Sequence, residues 1–140
     1  MRENWKGAIT LSPEETIKLG ESLSSKLEIG DIISINGELA SGKTTFMKGV
    51  LKGLGFKGEV TSPTFTLVNE YDSIPKVIHI DCYRESDLNR WVGLGIHEYF
   101  ESNSIVFIEW AKLIKPLLPK DLIEINFSHI SENNREITLS

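Results

Sequence analysis

Eight consecutive residues combine two glycines with a lysine and a threonine at a spacing that suits phosphate chemistry. Residues 37–44 read Gly-Glu-Leu-Ala-Ser-Gly-Lys-Thr, which fits the pattern G-x-x-x-x-G-K-[ST]. Gly37 and Gly42 permit backbone conformations in which successive N–H groups converge on phosphate oxygens. Lys43 can reach the outer phosphates, and the Thr44 hydroxyl can ligate Mg²⁺. The run therefore predicts a phosphate-binding loop.

The segments on either side of this loop fit the same interpretation. Residues 31–36 form a short apolar run with β-branched side chains and predict a buried strand. The residues after the loop are apolar at helical spacing, and Gly55 is placed to end that helix. A helix that starts at the loop points the positive end of its dipole at a bound anion. Strand, loop and helix in this order disfavour a glycine-rich turn with an incidental lysine.

Length and composition limit the class of protein. With 140 residues, the chain is expected to form one domain, spanning residues 1–140, around a single core. A hydrophobic share of 40% and a charged share of 25% are ordinary for a globular protein in water. The net charge of −5 argues against a broad basic face for nucleic acid. A local patch of Lys48, Lys52 and Lys57 is better explained as the solvated side of a helix.

The single cysteine and the apolar segments bear on the cellular compartment. Cys82 has no second cysteine to pair with, and its apolar neighbours favour a buried small side chain over a nucleophile. The sequence contains no signal-peptide core and no run of about 18 apolar residues. We therefore expect a cytoplasmic protein that is not attached to a membrane.

A short first strand, residues 7–11, precedes a clear helix start. Ser12 is expected as the N-cap, Pro13 as the first helical residue and Glu15 as the partner in a capping box. An apolar stripe then recurs every four residues, and Gly30 is expected to end this helix. The stripe consists of Leu19, Leu23 and Leu27.

Two acidic residues end apolar strands and compete for one role. Asp81 ends the predicted strand 76–81, and Glu109 follows four apolar residues in the predicted strand 104–110. Ligands of open α/β sheets bind at the carboxyl ends of the strands, and a buried carboxylate there is costly unless a cation pairs with it. Either acid is therefore a candidate for the Mg²⁺ shell. His79 is better explained as a hydrogen-bonded structural histidine than as a metal ligand.

The segment 59–64, after the loop helix, contains hydroxyl side chains and a proline ahead of an alternating stretch. In P-loop proteins this segment often carries a hydroxyl that senses Mg²⁺ or the γ-phosphate. Ser62 and Thr64 suit that role, but a turn rich in serine and threonine explains them equally well.

The remaining patterns complete the predicted fold. Residues 64–72 and 76–80 predict neighbouring strands, residues 86–101 one or two short helices, and residues 121–128 and 135–139 a hairpin. Together these patterns predict an α/β fold. It would be a P-loop NTPase-like three-layer sandwich whose central sheet is mixed and mostly parallel, with an antiparallel edge hairpin.

Three classes of P-loop protein are compatible with such a fold. A GTPase needs an N-K-x-D run, which the sequence lacks. A small-molecule kinase needs an acceptor pocket and an arginine-bearing lid. Arg84 and Arg90 could supply the lid, but little chain is left for a substrate domain. An ATPase whose hydrolysis acts on a partner suits the small size of the chain best.

Several blocks of the sequence resemble the TsaE family, formerly called YjeE. The resemblance extends over nearly the whole chain. The blocks that begin at Ser62 and at His79 are far more specific than the loop alone. Members are bacterial ATPases required, with TsaB and TsaD, to make threonylcarbamoyladenosine in tRNAs that read ANN codons. The blocks are the loop with Thr45-Phe46, Ser62-Pro63-Thr64-Phe65-Thr66, His79-x-Asp81-x-Tyr83-Arg84 and Ile108-Glu109-Trp110.

The resemblance implies roles for individual residues. Lys43 would lie on the phosphates, and Thr44 and Glu109 around Mg²⁺. Asp81 would assist the metal shell or the attacking water, which makes Lys43, Asp81 and Glu109 the catalytic set. The residues expected to contact ATP or ADP are Ser12, Gly37, Glu38, Leu39, Ala40, Ser41, Gly42, Lys43, Thr44, Thr45 and Arg135.

The resemblance also implies an activity and partners. Ser62 and Thr64 fall in the family's switch-like segment, and Trp110 matches the tryptophan beside its acid, although a core aromatic explains it as well. The expected activity is a weak ATPase that the TsaB–TsaD complex stimulates, with tRNA met only through that complex. A small-molecule kinase with the same loop is the alternative.

Overall fold

The computed structural model describes residues 5–38, 42–63, 66–132 and 134–139. Three residues of the predicted loop, Leu39, Ala40 and Ser41, lie outside the described residues, as does Thr64 of the predicted switch-like segment.

One mixed sheet runs through the described part of the chain. Its strands are β1 (Gly7–Thr10), β2 (Ile32–Asn36), β3 (Val68–Tyr71), β4 (Lys76–Asp81), β5 (Ser104–Glu109), β6 (Ile123–His129) and β7 (Arg135–Leu139), in the order β1-β7-β6-β2-β5-β4-β3. The central strands β6, β2, β5 and β4 are parallel, whereas β1, β7 and β3 pair antiparallel. This order confirms the predicted mixed sheet, and β6 with β7 is its antiparallel hairpin.

Helical segments cover both faces of this sheet. They are α1 (Pro13–Ser24), α2 (Lys43–Gly53), α3 (Leu88–Gly93), α4 (Ile96–Glu101) and a 3₁₀ segment (Ala111–Leu117). The core residues of α1 and α2 pack with Ile33 and Phe107 on one face, and those of α3, α4 and the 3₁₀ segment pack with Ile78 on the other. Because both faces are covered, β5 is buried along its whole length. These layers confirm the predicted α/β sandwich, and none of the described helices has the length and apolar character to cross a membrane.

The first helix begins where the sequence predicts. The Glu15 N–H donates to Ser12 Oγ at 3.2 Å, and Pro13 is the first helical residue. Glu15 Oε1 accepts a hydrogen bond from the Leu11 N–H at 3.0 Å, one residue before the N-cap. The reciprocal pair satisfies two N–H groups at the helix start, which is the stabilising effect of a capping box.

The predicted end of this helix at Gly30 is wrong. The helix stops at Ser24, and turns follow it. In these turns the Glu28 N–H donates to the Asp31 carboxylate at 2.8 Å, which folds the chain back towards β2. An aspartate side chain competes in this way with helical hydrogen bonds. Leu27 is buried although it lies beyond the helix, so the apolar stripe predicted its burial but not its backbone conformation.

Two glycines allow α1 and α2 to pack in direct backbone contact. A Cβ atom on Gly49 of α2 would overlap the carbonyl oxygen of Ile17 in α1, and one on Gly20 of α1 would overlap the carbonyl oxygen of Phe46 in α2. The two helices therefore lie as close as their backbones permit. This contact matters for the loop, because α2 begins at Lys43 directly after it.

Substitution of Gly49 tests this close approach. Gly49→Ala must push the helices apart, and we expect it to lower the free energy of unfolding by about 1–3 kcal/mol, even though alanine favours helices by about 1 kcal/mol. Gly93→Ala is the matched control, because a Cβ atom at Gly93 meets nothing within 4 Å. Urea unfolding measures both variants, and a Gly49→Ala protein as stable as the control would contradict the contact.

Cys82 follows β4 and is fully buried, as the sequence predicts. Burial, with a smaller contribution from the charge of Asp81, raises the pKa of its thiol to about 12. The thiol therefore stays protonated near neutral pH. A protonated, inaccessible thiol is a poor nucleophile, so Cys82 is a packing residue of the core beneath α3 and α4.

Candidate functional site

The carboxyl ends of β2, β4 and β5 meet the start of α2 at one edge of the sheet. β2 ends at Asn36, and α2 begins at Lys43 with Gly42 as its N-cap at φ 99°, a left-handed conformation that favours glycine. Among the described residues no side chain caps α2, and its first turn contains no acidic residue. The N–H groups of that turn can therefore bind an external anion, and the helix dipole favours one there.

The Lys43 side chain reaches back to Gly37 and is almost completely buried. Its Nζ donates to the Gly37 carbonyl oxygen at 2.7 Å and lies 3.3 Å from Glu109 Oε1. The same ammonium lies 5.1 Å from the centre of the Trp110 ring, within the range of a cation–π contact. Lys43 thus joins the loop, the end of β5 and the residue after it.

Glu109 is the last residue of β5 and is 5% exposed. Its Oε2 lies 2.6 Å from His79 Nε2, while its Oε1 faces Lys43. Burial acts to raise the pKa of Glu109, but the contacts with His79 and Lys43 outweigh it, and the pKa lies below its ordinary value of 4.5. Glu109 is therefore a buried carboxylate at neutral pH, held between two nitrogen groups.

His79 has a closer relation to the site than the sequence indicated. It is fully buried in β4, and strand alternation places it on the sheet face of α2, the same face as Glu109. The 2.6 Å contact with Glu109 lacks the alignment of a regular hydrogen bond, and His79 Nδ1 has no hydrogen-bond partner among the described residues. The prediction of a structural histidine omitted the contact with Glu109, for which alternation along β4 was the available signal.

Asp81, the other candidate acid, lies beside Glu109 in the sheet. The two residues are register partners across β4 and β5, and Asp81 is 2% exposed. Its Oδ1 accepts a hydrogen bond from the Tyr83 N–H at 2.8 Å. Within the described ranges, histidine, cysteine and carboxylate side chains do not gather into a metal-binding cluster of three or more. Thr44, half-buried in the first turn of α2, is the further oxygen ligand that the sequence predicts.

A small cleft brings two distant predicted residues to the start of α2. Its volume is about 50 Å³, and Ser12 from the start of α1 and Arg135 from β7 both line it. The sequence predicted both as nucleotide contacts without a reason for their proximity, which the pairing of β1 with β7 supplies, because Thr10 lies opposite Arg135. The whole lining consists of Ser12, Pro13, Thr16, Gly42, Thr45, Glu132 and Arg135.

A larger cleft of about 350 Å³ is lined by Asn36, Gly37, Glu38, Trp110 and Lys112. Trp110 has a left-handed backbone conformation, with φ 58°, and is half-buried. Trp110 therefore lines this cleft and also packs against the core. Ser62, in the predicted switch-like segment, is exposed and lies outside regular secondary structure.

This fold and site define a protein with a P-loop NTPase-like architecture. A family model described as "Threonylcarbamoyl adenosine biosynthesis protein TsaE" matches residues 10–137. The chain belongs to the TsaE family.

Individual relatives support the same assignment. A tRNA threonylcarbamoyladenosine biosynthesis protein TsaE from Bacillus subtilis is 38% identical over 132 residues, which are 94% of this chain and 82% of the relative. The protein of the same name from Treponema pallidum is 34% identical over 94% of this chain and 98% of its own length. The crystal structure of YdiB from Bacillus subtilis superposes with a TM-score of 0.80 at 35% identity, over 94% of this chain and 81% of YdiB.

The buried pair of Lys43 and Glu109 predicts a measurable energetic coupling. Lys43→Met leaves the Glu109 charge with His79 alone, so we expect a loss of about 2–4 kcal/mol in the free energy of unfolding. Adding Glu109→Gln removes the unpaired charge, and the double variant should be about 1–3 kcal/mol more stable than the sum of the single losses. Urea unfolding of the four proteins closes this cycle, and additivity within about 0.5 kcal/mol would contradict a coupled pair.

Proposed function

We propose that this chain binds ATP and ADP with Mg²⁺ and hydrolyses ATP in the biosynthesis of threonylcarbamoyladenosine in tRNAs that read ANN codons. It would work in the cytoplasm on a complex of TsaB and TsaD, and meet tRNA only through that complex. One observation carries the proposal: in a TsaE-family chain, a buried lysine and a buried glutamate meet beside a helix N-terminus that no described side chain caps.

The chemistry of this edge suits a nucleotide phosphate group. The N–H groups in the first turn of α2 lie next to Gly42, where a glycine backbone leaves room for an anion. Lys43 supplies a positive charge beside them, and Ser12 and Arg135, which line the small cleft at the start of α2, are the candidates to contact the rest of the nucleotide. Sites of this kind hold polyphosphates through backbone amides and one lysine.

The same edge offers oxygen ligands to a hard cation. Thr44 contributes a hydroxyl, and Glu109 and Asp81 contribute buried carboxylates at neighbouring strand ends. A bound Mg²⁺ would neutralise charge on the phosphate oxygens. Within the chain, Glu109 holds a negative charge beside Lys43, and Asp81 is the candidate to assist the metal shell or orient the attacking water.

The contacts of Lys43 suggest why the activity would be weak without a partner. Lys43 is bound to the Gly37 carbonyl and to Glu109, so a phosphate competes with these contacts for its ammonium group. A partner that favours the exchanged arrangement would raise the rate, since a ligand shifts an equilibrium by its differential affinity for the two states. TsaB–TsaD is the partner that the family resemblance implies.

Isothermal titration with ADP tests this exchange. In EDTA, Glu109→Gln should bind ADP about tenfold more tightly than wild type, because Lys43 loses a charged partner worth one charge-assisted hydrogen bond. In Mg²⁺ the same variant should bind at least about tenfold more weakly, since a metal ligand is lost. Glu21→Gln is the control, because Glu21 lies at the surface, where its carboxylate pairs with Lys52 at 3.5 Å. Equal effects of Glu109→Gln in both buffers would contradict the exchange.

Complementation and phosphate release test the cellular role. In a strain without its own TsaE, Lys43→Ala should fail to restore threonylcarbamoyladenosine in tRNA, whereas Lys48→Ala, an exposed change on the same helix, should restore it. Phosphate release from ATP should rise when TsaB–TsaD is added. Full complementation by a Lys43→Ala protein that binds no nucleotide would refute the proposal. Tight ATP binding with no partner effect would favour the small-molecule kinase.

A further inference from the structure

His79 and Asp81 lie two residues apart on β4 and face the same side of the sheet, and Glu109 lies opposite Asp81 on β5. Directly opposed like charges destabilise a strand pair. Neighbouring strands are about 4.8 Å apart, so two carboxylates at these positions would repel each other at close range. The fold must therefore direct the two side chains apart.

The observed contacts direct them in opposite directions. Asp81 bends towards the chain after β4, where its Oδ1 accepts from the Tyr83 N–H at 2.8 Å. Glu109 leans back along the sheet, away from its register partner Asp81, to the diagonal neighbour His79 at 2.6 Å. With Oε2 held there, Oε1 remains for Lys43 at 3.3 Å. The two oxygens of Glu109 are thus assigned to different partners.

We propose that His79 is a positioning residue, which fixes the Glu109 carboxylate beside Lys43 and apart from Asp81. This role rests on the proposed function, in which Glu109 is an oxygen ligand of Mg²⁺. His79 itself is enclosed by the core and reaches the ligand only through Glu109. Buried residues that orient a ligating carboxylate typically change metal affinity about 10–100-fold when they are replaced.

Three variants separate positioning from core packing. His79→Leu introduces an apolar side chain of similar size and removes the polar contact. His79→Gln keeps a donor that can reach Glu109. Val77→Ala is the matched control, because Val77 is buried on the same strand and face but is paired with Ile105, remote from Glu109. Urea unfolding measures how far each change lowers the free energy of unfolding.

The deciding quantity is the dissociation constant of ADP in EDTA divided by that in Mg²⁺, which measures how much the metal strengthens binding. His79→Leu should lower this ratio about 10–100-fold, whereas His79→Gln and Val77→Ala should stay within about threefold of wild type. A folded His79→Leu protein with an unchanged or larger ratio overturns the positioning role alone. Equal losses in His79→Leu and His79→Gln overturn the assignment of the effect to the polar contact. If wild type binds no ADP, the proposed function fails, and the positioning role fails with it.

A second measurement needs no nucleotide and no folded His79→Leu protein. The chain has three histidines, so imidazole ¹⁵N spectra are simple to assign with the His79→Gln variant. Glu109→Gln should shift the His79 signals and leave those of His97 and His129 unchanged. His79 signals that do not respond to Glu109→Gln would overturn the contact on which the inference depends.

Discussion

The buried charge of Glu109 is the constraint on which the site depends. A carboxylate at the end of a core strand is costly unless positive or polar groups compensate it inside the fold. Lys43, 3.3 Å away, and His79, 2.6 Å away, provide that compensation. These residues belong to α2, β4 and β5, so one electrostatic requirement fixes the relative positions of the loop helix and two parallel strands.

The packing of the core serves the same geometry. Backbone contact at Gly20 and Gly49 sets the distance between α1 and α2, and α2 carries Lys43 at its start. Coverage of both sheet faces permits a β5 that is buried throughout and that delivers Glu109 to the edge. Close-packed interiors transmit small displacements, because they contain few voids to absorb them. A loosened helix pair would therefore alter the site as well as the stability of the fold.

In the structure the charged groups of the site bind one another. Lys43 binds the Gly37 carbonyl and Glu109, and its ammonium also lies near the Trp110 ring. Under the proposed function, phosphate would replace Glu109 as the partner of Lys43, and a cation would replace Lys43 as the partner of Glu109. Nucleotide and cation would then bind cooperatively, since each releases the group that the other contacts. Such coupling would make binding depend on nucleotide and metal together.

Local sequence patterns determined the elements, the loop and the acids at the strand ends. The motif at residues 37–44, the cap at Ser12 and the apolar strands each depend on residues close in the chain, where the periods of helix and strand and the chemistry of caps act directly. The strand order, the proximity of Ser12 to Arg135 and the diagonal contact of His79 with Glu109 were decided only by the tertiary structure. These features join distant segments, and they follow from the register and packing of the whole sheet, which no local pattern encodes.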